Sequence, residues 1–306
     1  MIETEGLSKL FDNFLAVDGV TLTVKPGEVF ALLGPNGAGK TTTVRMLTSI
    51  LSPSRGWARV AGYDVVKEPA GVRASVGVLT ENHGLYLRMR AVEYLEFFGK
   101  LYGLTPAASR ARAAQLLDRF GMADAMAKRL GEYSKGMRQK LALIRCMLHD
   151  TPVLLLDEPT SAMDPQSAKL VRDAIADLRG EKRSIILCTH NLPEAEQLAD
   201  RIAVIRHGRI IALDSPAQLK RNLLGPTVME LRALAPTDTI VKELGDQVEV
   251  VDTGPDWVRY CTVDAATDNP VIVQRLVAKH VPLVTLAEVP RSLEEVYLQV
   301  VETKER

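Results

Sequence analysis

Residues 34 to 41 read Gly34-Pro35-Asn36-Gly37-Ala38-Gly39-Lys40-Thr41. The octet lies between the apolar run Val29-Phe30-Ala31-Leu32-Leu33 and a segment from Thr42 to Leu51 that suits a helix. This juxtaposition constrains the fold more than any other feature. A continuously apolar strand needs cover on both faces, and a strand followed at once by a helix belongs to a layered α/β arrangement. The loop itself fits G-x-x-x-x-G-K-[ST] at every fixed position. Its glycines let successive backbone N–H groups turn toward one anion. The helix that follows presents its N-terminus to the same place. Lys40 can then reach the outer phosphates of a nucleotide, and Thr41 can hold magnesium through its hydroxyl. Gly34, Asn36, Gly37, Ala38, Gly39, Lys40, Thr41 and Thr42 are the candidate phosphate-binding residues.

The chain has 306 residues, room for one large domain or a domain with an appendage. Thirty-eight basic residues balance thirty-eight acidic ones. A net charge of zero supplies no global field for nucleic acid, and no local basic stretch replaces it, so no nucleic-acid partner is expected. No apolar run approaches the ~20 residues of a membrane span. The start, Met1-Ile2-Glu3-Thr4-Glu5, is acidic and lacks the apolar core of a signal peptide. Cys146, Cys188 and Cys261 have no metal-type spacing and read as free thiols of a reducing compartment.

Short apolar alternation at Ala16–Val20 and Leu22–Val24, then Trp57–Val60 and Ser75–Leu79, make the first part β-rich. From about residue 82 to 150 the pattern is helical, with helices expected over Ala91–Leu101, from Pro106 to Phe120, and from the Ser134 turn to Leu148. Strands at Val153–Leu156 and Ser184–Cys188 then alternate with helices from Pro165 to Gly180 and from Pro193 to Ala199. The fold class expected is α/β, with a mostly parallel sheet. Near Gly225-Pro226 the style changes to a small α+β tail, with strands at Val228–Ala233, Val248–Val251, Trp257–Val263 and Pro282–Leu286. Domain bounds of 1–222 and 223–306 follow.

Three polar signals fall at the C-terminal ends of apolar strands: the glycine loop, Asp157-Glu158, and Thr189-His190. In an open parallel sheet the ligand crevice lies outside those ends, so the three point to one crevice. Asp157 suits magnesium, directly or through water. Glu158 can orient or deprotonate a water aimed at a γ-phosphate. His190 can hold that phosphate or that water, although a lone histidine is more often structural. Ser134 reads either as an ordinary N-cap or as part of a second anion site at a helix start. A helical segment separates it from the sheet, so a second subunit would be needed to bring it to a nucleotide.

Taken in order, these motifs resemble the ATP-binding subunit of an ABC transporter over residues 1 to about 220. Gly34–Thr42 matches the Walker A loop, Leu155-Leu156-Asp157-Glu158 Walker B with its glutamate, and Tyr133-Ser134-Lys135-Gly136-Met137 the family signature. Ser161-Ala162-Met163-Asp164 resembles the D-loop and His190 the switch histidine. The resemblance implies a P-loop ABC ATPase core with an antiparallel β subdomain and an inserted helical subdomain. It implies ATP and Mg2+ as ligands, with Lys40, Glu158 and His190 catalytic. Thr41, Asp157 and Glu81 would face the metal, Glu81 standing where the family usually has glutamine. Phe11, with Phe14 in reserve, would stack on adenine, and Ser134, Gly136 and Asp164 would complete the nucleotide contacts.

It further implies a homodimer, or a pair with a related ATPase subunit, on the cytoplasmic face of the membrane, driving a separate integral-membrane permease. The Ser-Lys-Gly-Met signature and the tail ending Ser292-Leu293-Glu294-Glu295-Val296-Tyr297 resemble bacterial multidrug, antibiotic or sodium exporter subunits. The rivals are a soluble ABC-type ATPase of translation or repair, an import subunit, and a regulatory module without turnover. A single Walker A loop without sustained heptads opposes the first. The tail and the signature variant oppose the second. The intact Glu158 and His190 oppose the third.

Overall fold

The computed structural model describes residues 1–80, 84–161, 163–180, 182–245 and 248–303. The chain divides into two compact units, Met1–Pro216 and Ala217–Arg306. In the first, β1 (Ile2–Phe11) and β2 (Phe14–Val24) form an antiparallel hairpin, and β3 (Val29–Leu33) runs into the glycine loop and α1 (Lys40–Leu47). β4 (Arg55–Val60), β5 (Tyr63–Asp64), α2 (Pro69–Ser75) and β6 (Val76–Leu79) follow. Ser75, expected to open a strand, instead closes α2, its hydroxyl donating to the Gly71 carbonyl at 2.9 Å. Three helices, α3 (Ala91–Leu101), α4 (Pro106–Arg119) and α5 (Lys135–Met147), stand between β6 and β7 (Val153–Asp157). Then come α6 (Pro165–Gly180), β8 (Ser184–Thr189), α7 (Leu192–Leu198), β9 (Arg201–Arg206) and β10 (Arg209–Asp214).

The central sheet has the order β10-β9-β3-β8-β7-β6, parallel throughout except for the β9–β10 pair. A second, antiparallel sheet has the order β2-β1-β4-β5. Every residue of β3, β7 and β8 is buried. The cause is visible in where alternate residues go. Leu154, Leu156, Ile185 and Leu187 join a core with Leu141, Ile144, Val171 and Ile175 of the helical layer. Val153, Leu155, Ile186 and Cys188 join another with Ile2, Val20, Val60 and Leu47 of the hairpin sheet and α1. The two-residue period thus divides each strand between two covers, each buried Leu or Ile contributing about 1.5–3 kcal/mol.

The second unit carries α8 (Pro216–Leu224), which starts at the boundary. It continues with β11 (Thr227–Ala233), α9 (Thr237–Leu244), β12 (Glu249–Thr253), β13 (Trp257–Thr262), α10 (Ala265–Ala278), β14 (Leu283–Glu288) and α11 (Leu293–Thr303). Its sheet has the order β12-β13-β11-β14, antiparallel throughout. Leu231, Val258 and Tyr260 of that sheet pack with Ile240 and Leu244 of α9 and Ile272 and Leu276 of α10. Among the described residues no helix is long and apolar enough to cross a membrane.

Gly77 of β6 lies directly under α5. A Cβ there would stand 2.3 Å from the Cys146 carbonyl oxygen and 2.7 Å from Leu154 Cδ2. The Gly77→Ala variant is expected to lose about 1–3 kcal/mol by overpacking, read as a lowered urea midpoint against wild type.

Candidate active site

The glycine loop closes around its own lysine. Lys40 is buried, and its ammonium donates to the Gly34 carbonyl at 2.5 Å and the Pro35 carbonyl at 3.1 Å. Two glycines carry the turn. Gly39 has φ 106°, and a Cβ on it would lie 2.7 Å from the Ala16 carbonyl of β2. Gly34 would meet the Ile205 carbonyl at 2.3 Å. As the residue before α1, Gly39 brings no capping side chain, which leaves the first N–H groups of that helix turned outward for an anion.

Thr41 opens the chemistry. Its hydroxyl donates to Asp157 Oδ2 at 2.8 Å, joining the start of α1 to the end of β7. Glu158 follows with φ 51°, a left-handed conformation that costs a residue with a side chain about 1–3 kcal/mol. Several bonds hold it there. Its N–H donates to the Cys188 carbonyl at 2.9 Å, and its own carbonyl accepts from Gln139 Nε2 at 2.9 Å. The resulting twist aims the carboxylate at β8, where Glu158 Oε1 meets His190 Nδ1 at 2.7 Å and the His190 N–H at 3.1 Å. Beneath this pair, burial and the nearby Asp157 carboxylate push the Cys188 thiol well above its ordinary range, so it stays an inert thiol.

These groups line one cleft of about 350 Å³, within the ~300–1,000 Å³ of small-molecule sites. Asn36, Gly37, Ala38, Gly39, Lys40, Thr41, Thr42, Asp157, Glu158 and His190 all face it. Gly34 lies one residue before Pro35, which also faces it. The remaining expected residues are not among those that line the cleft as described. Glu81 falls outside the described residues. Ser134 and Lys135 are exposed at the start of α5, where Ser134 Oγ accepts from the Met137 N–H at 3.2 Å. A Cβ on Gly136 would point into open space. Asp164 is exposed and is not on the cleft wall. It caps α6, accepting from the Ser167 N–H at 2.9 Å, and that bond holds its carboxyl below the ordinary range.

Of the two phenylalanines expected for adenine, the reserve residue faces the cleft. The aromatic ring on the cleft wall is Phe14, whereas Phe11 sits with the Lys9 ammonium 5.2 Å from its ring. The two phenylalanines pair across the hairpin turn, but it is β2 that runs along the glycine loop, Ala16 touching the Gly39 position. Sequence spacing does not say which arm of a hairpin lies inward. Ser161, the first residue of the D-loop-like segment, also lines the cleft, as do Ala16 and Pro35, which were not candidate site residues. Gln139 was missed too. A glutamine almost fully buried in α5 has to find partners, and it finds the Glu158 and Pro159 carbonyls, at 2.9 and 3.2 Å.

Comparison with known proteins identifies the family. A family model described as ABC transporter matches residues 17–161. The daunorubicin/doxorubicin resistance ATP-binding protein DrrA of Streptomyces peucetius is 44% identical over 231 residues, 76% of this chain and 70% of that protein. The Nod factor export ATP-binding protein I of Paraburkholderia xenovorans is 34% identical over 298 residues, 97% of this chain and 96% of that protein. A solved structure of an ATP-binding subunit of an ABC transporter superposes with a TM-score of 0.69 at 28% identity, covering 74% of this chain and 94% of that one. The chain therefore belongs to the ABC transporter family, as an ATP-binding subunit with an ATPase domain.

Proposed function

We propose that this subunit powers export through a separate integral-membrane permease, working at the cytoplasmic face of the membrane as a pair of copies closed head to tail on ATP. The observation that carries the reading is the convergence of Lys40, Thr41, Asp157, Glu158 and His190 on one cleft. Export rather than import rests on relatives named for drug resistance and Nod factor export.

Lys40 trades the neutral carbonyls of Gly34 and Pro35 for phosphate oxygens, a stronger, charge-assisted contact. Phe14 offers its exposed ring to the adenine. The Thr41 hydroxyl and the Asp157 carboxylate, 2.8 Å apart, are the hard oxygen donors that Mg2+ takes, with Glu81 a further candidate. Bound there, the ion would offset charge on the phosphoryl oxygens. Glu158 accepts a proton from the attacking water, and His190 fixes the direction of its carboxylate. The helix start at Ser134–Gly136, exposed at Ser134 and Lys135, meets the partner copy's nucleotide through its N–H groups. Closure depends on contacts with the γ-phosphate, and hydrolysis removes them. Ahead of α3, Tyr86 and Leu87 are exposed and offer the permease an apolar contact, while Leu85 and Met89 pack against the helical core.

Glu158→Gln should lower ATPase turnover by about 10²–10⁴-fold while ATP binding survives, so that an ATP-bound dimer accumulates on size exclusion. A Glu158→Gln protein that stays monomeric with ATP and hydrolyses it normally removes Glu158 from this role. Lys40→Ala should weaken nucleotide binding itself by about ten- to a hundredfold in equilibrium titration, the worth of one charge-assisted hydrogen bond. Attachment to a permease, against a soluble ATPase, is checked by co-expression with a candidate permease: the chain should move to the membrane fraction only when the permease is present.

A further inference from the structure

Glu194 of α7 is a carboxylate for which the proposed reaction has no use, yet it is 2% exposed. Burying such a group is costly unless its oxygens are bonded. Both are. Oε1 accepts from the Thr160 hydroxyl at 2.6 Å, and Oε2 accepts from the Thr189 hydroxyl at 2.8 Å. Thr160 stands two residues after Glu158, and Thr189 stands immediately before His190. One carboxylate therefore ties together the two strand-end turns that carry the paired groups. The tie is stiff. Thr189 Oγ1 also accepts from the Asn191 N–H at 3.0 Å, and Asn191 Oδ1 accepts from the Glu194 N–H at 3.1 Å. Burial pushes the Glu194 carboxyl above its ordinary range, and the two threonine hydroxyls oppose that.

The turn after β7 needs holding. Glu158 sits in a left-handed conformation, and its Oε1 must stay 2.7 Å from His190 Nδ1. Gln139 holds this turn from the α5 side, through the Glu158 and Pro159 carbonyls. Glu194 holds it from the opposite side, through Thr160, and is alone of the two in also gripping the His190 turn. We infer that Glu194 is a positioning residue of the ATPase reaction, setting the Glu158–His190 geometry through the hydroxyls of Thr160 and Thr189. The inference rests on the roles proposed above for Glu158 and His190.

The test uses the full chain and measures ATPase kcat, KM, ATP Kd and thermal midpoint for Thr160→Val, Thr160→Ser, Glu194→Gln and Glu158→Gln. Thr160→Val keeps the side-chain shape and deletes the hydroxyl. It should lower kcat by about ten- to a hundredfold while KM and Kd stay within about twofold, the signature of a misplaced catalytic group. Glu194→Gln should do the same, because the threonines donate to different oxygens of Glu194 and the amide replaces one of those acceptors with an N–H donor. Thr160→Ser should restore turnover, and Thr160→Val added to Glu158→Gln should cause no further loss. Wild-type kcat in Thr160→Val and Glu194→Gln, with Glu158→Gln inactive, overturns the inference and leaves the reading of the site intact. A kcat that falls only in step with Kd and thermal midpoint overturns it equally, since that is a loss of structure. Normal hydrolysis by Glu158→Gln overturns the reading of the site and the inference with it.

Discussion

The hydrogen bond from Thr41 to Asp157 spans 116 residues of chain and 2.8 Å of space. The rest of the first unit serves to make that meeting possible. β8 lies between β3 and β7, so the two strands that deliver these residues stand about 10 Å apart, two inter-strand spacings. The glycine loop must carry the start of α1 toward the end of β7. It packs without side chains at two points, Gly34 against the Ile205 carbonyl and Gly39 against the Ala16 carbonyl. Any larger residue would lift the loop and carry Thr41 away.

Around this bond the polar groups are arranged by necessity as much as by chemistry. The interior is apolar on both faces of the sheet, so polar atoms that enter it must be partnered. Gln139 reaches out of α5 to two carbonyls of the turn after β7, and Glu194 reaches from α7 to two hydroxyls. The left-handed Glu158 persists because its neighbours leave it no alternative. Local strain of this kind survives where surrounding bonds outnumber the torsions they restrain.

Much of this was legible beforehand. Continuous apolar runs named β3, β7 and β8, and the polar residues at their ends named the cleft, because a parallel sheet gathers its strand ends on one edge. Pro106, Pro165 and Gly180 marked helix ends that the structure keeps within a residue. Other elements gave too little signal. β1 contains Gly6 at φ 58° and several register shifts against β2, which break the two-residue alternation. α9 buries only Ile240 and Leu244, one helical turn apart, so its period is barely repeated. That Phe14 and not Phe11 lines the cleft follows from the approach of β2 to the loop, a tertiary fact. Gln139 and Glu194 looked like ordinary polar residues on amphipathic helices, and only their burial and their partners set them apart.

The alternation that divides β7 between two apolar covers has a less obvious effect. In a strand with one wet face, the wrong register is punished along its whole length. β7 has no wet face, and Val153 to Leu156 would be nearly as content one place along, in the opposite covers. What remains to fix the alignment is the charge at its end. A slip of one residue would draw the Asp157 carboxylate back into hydrocarbon, at an effective cost of several kcal/mol. The acid that the chemistry requires is thus also the stop that tells the folding chain where this strand must halt.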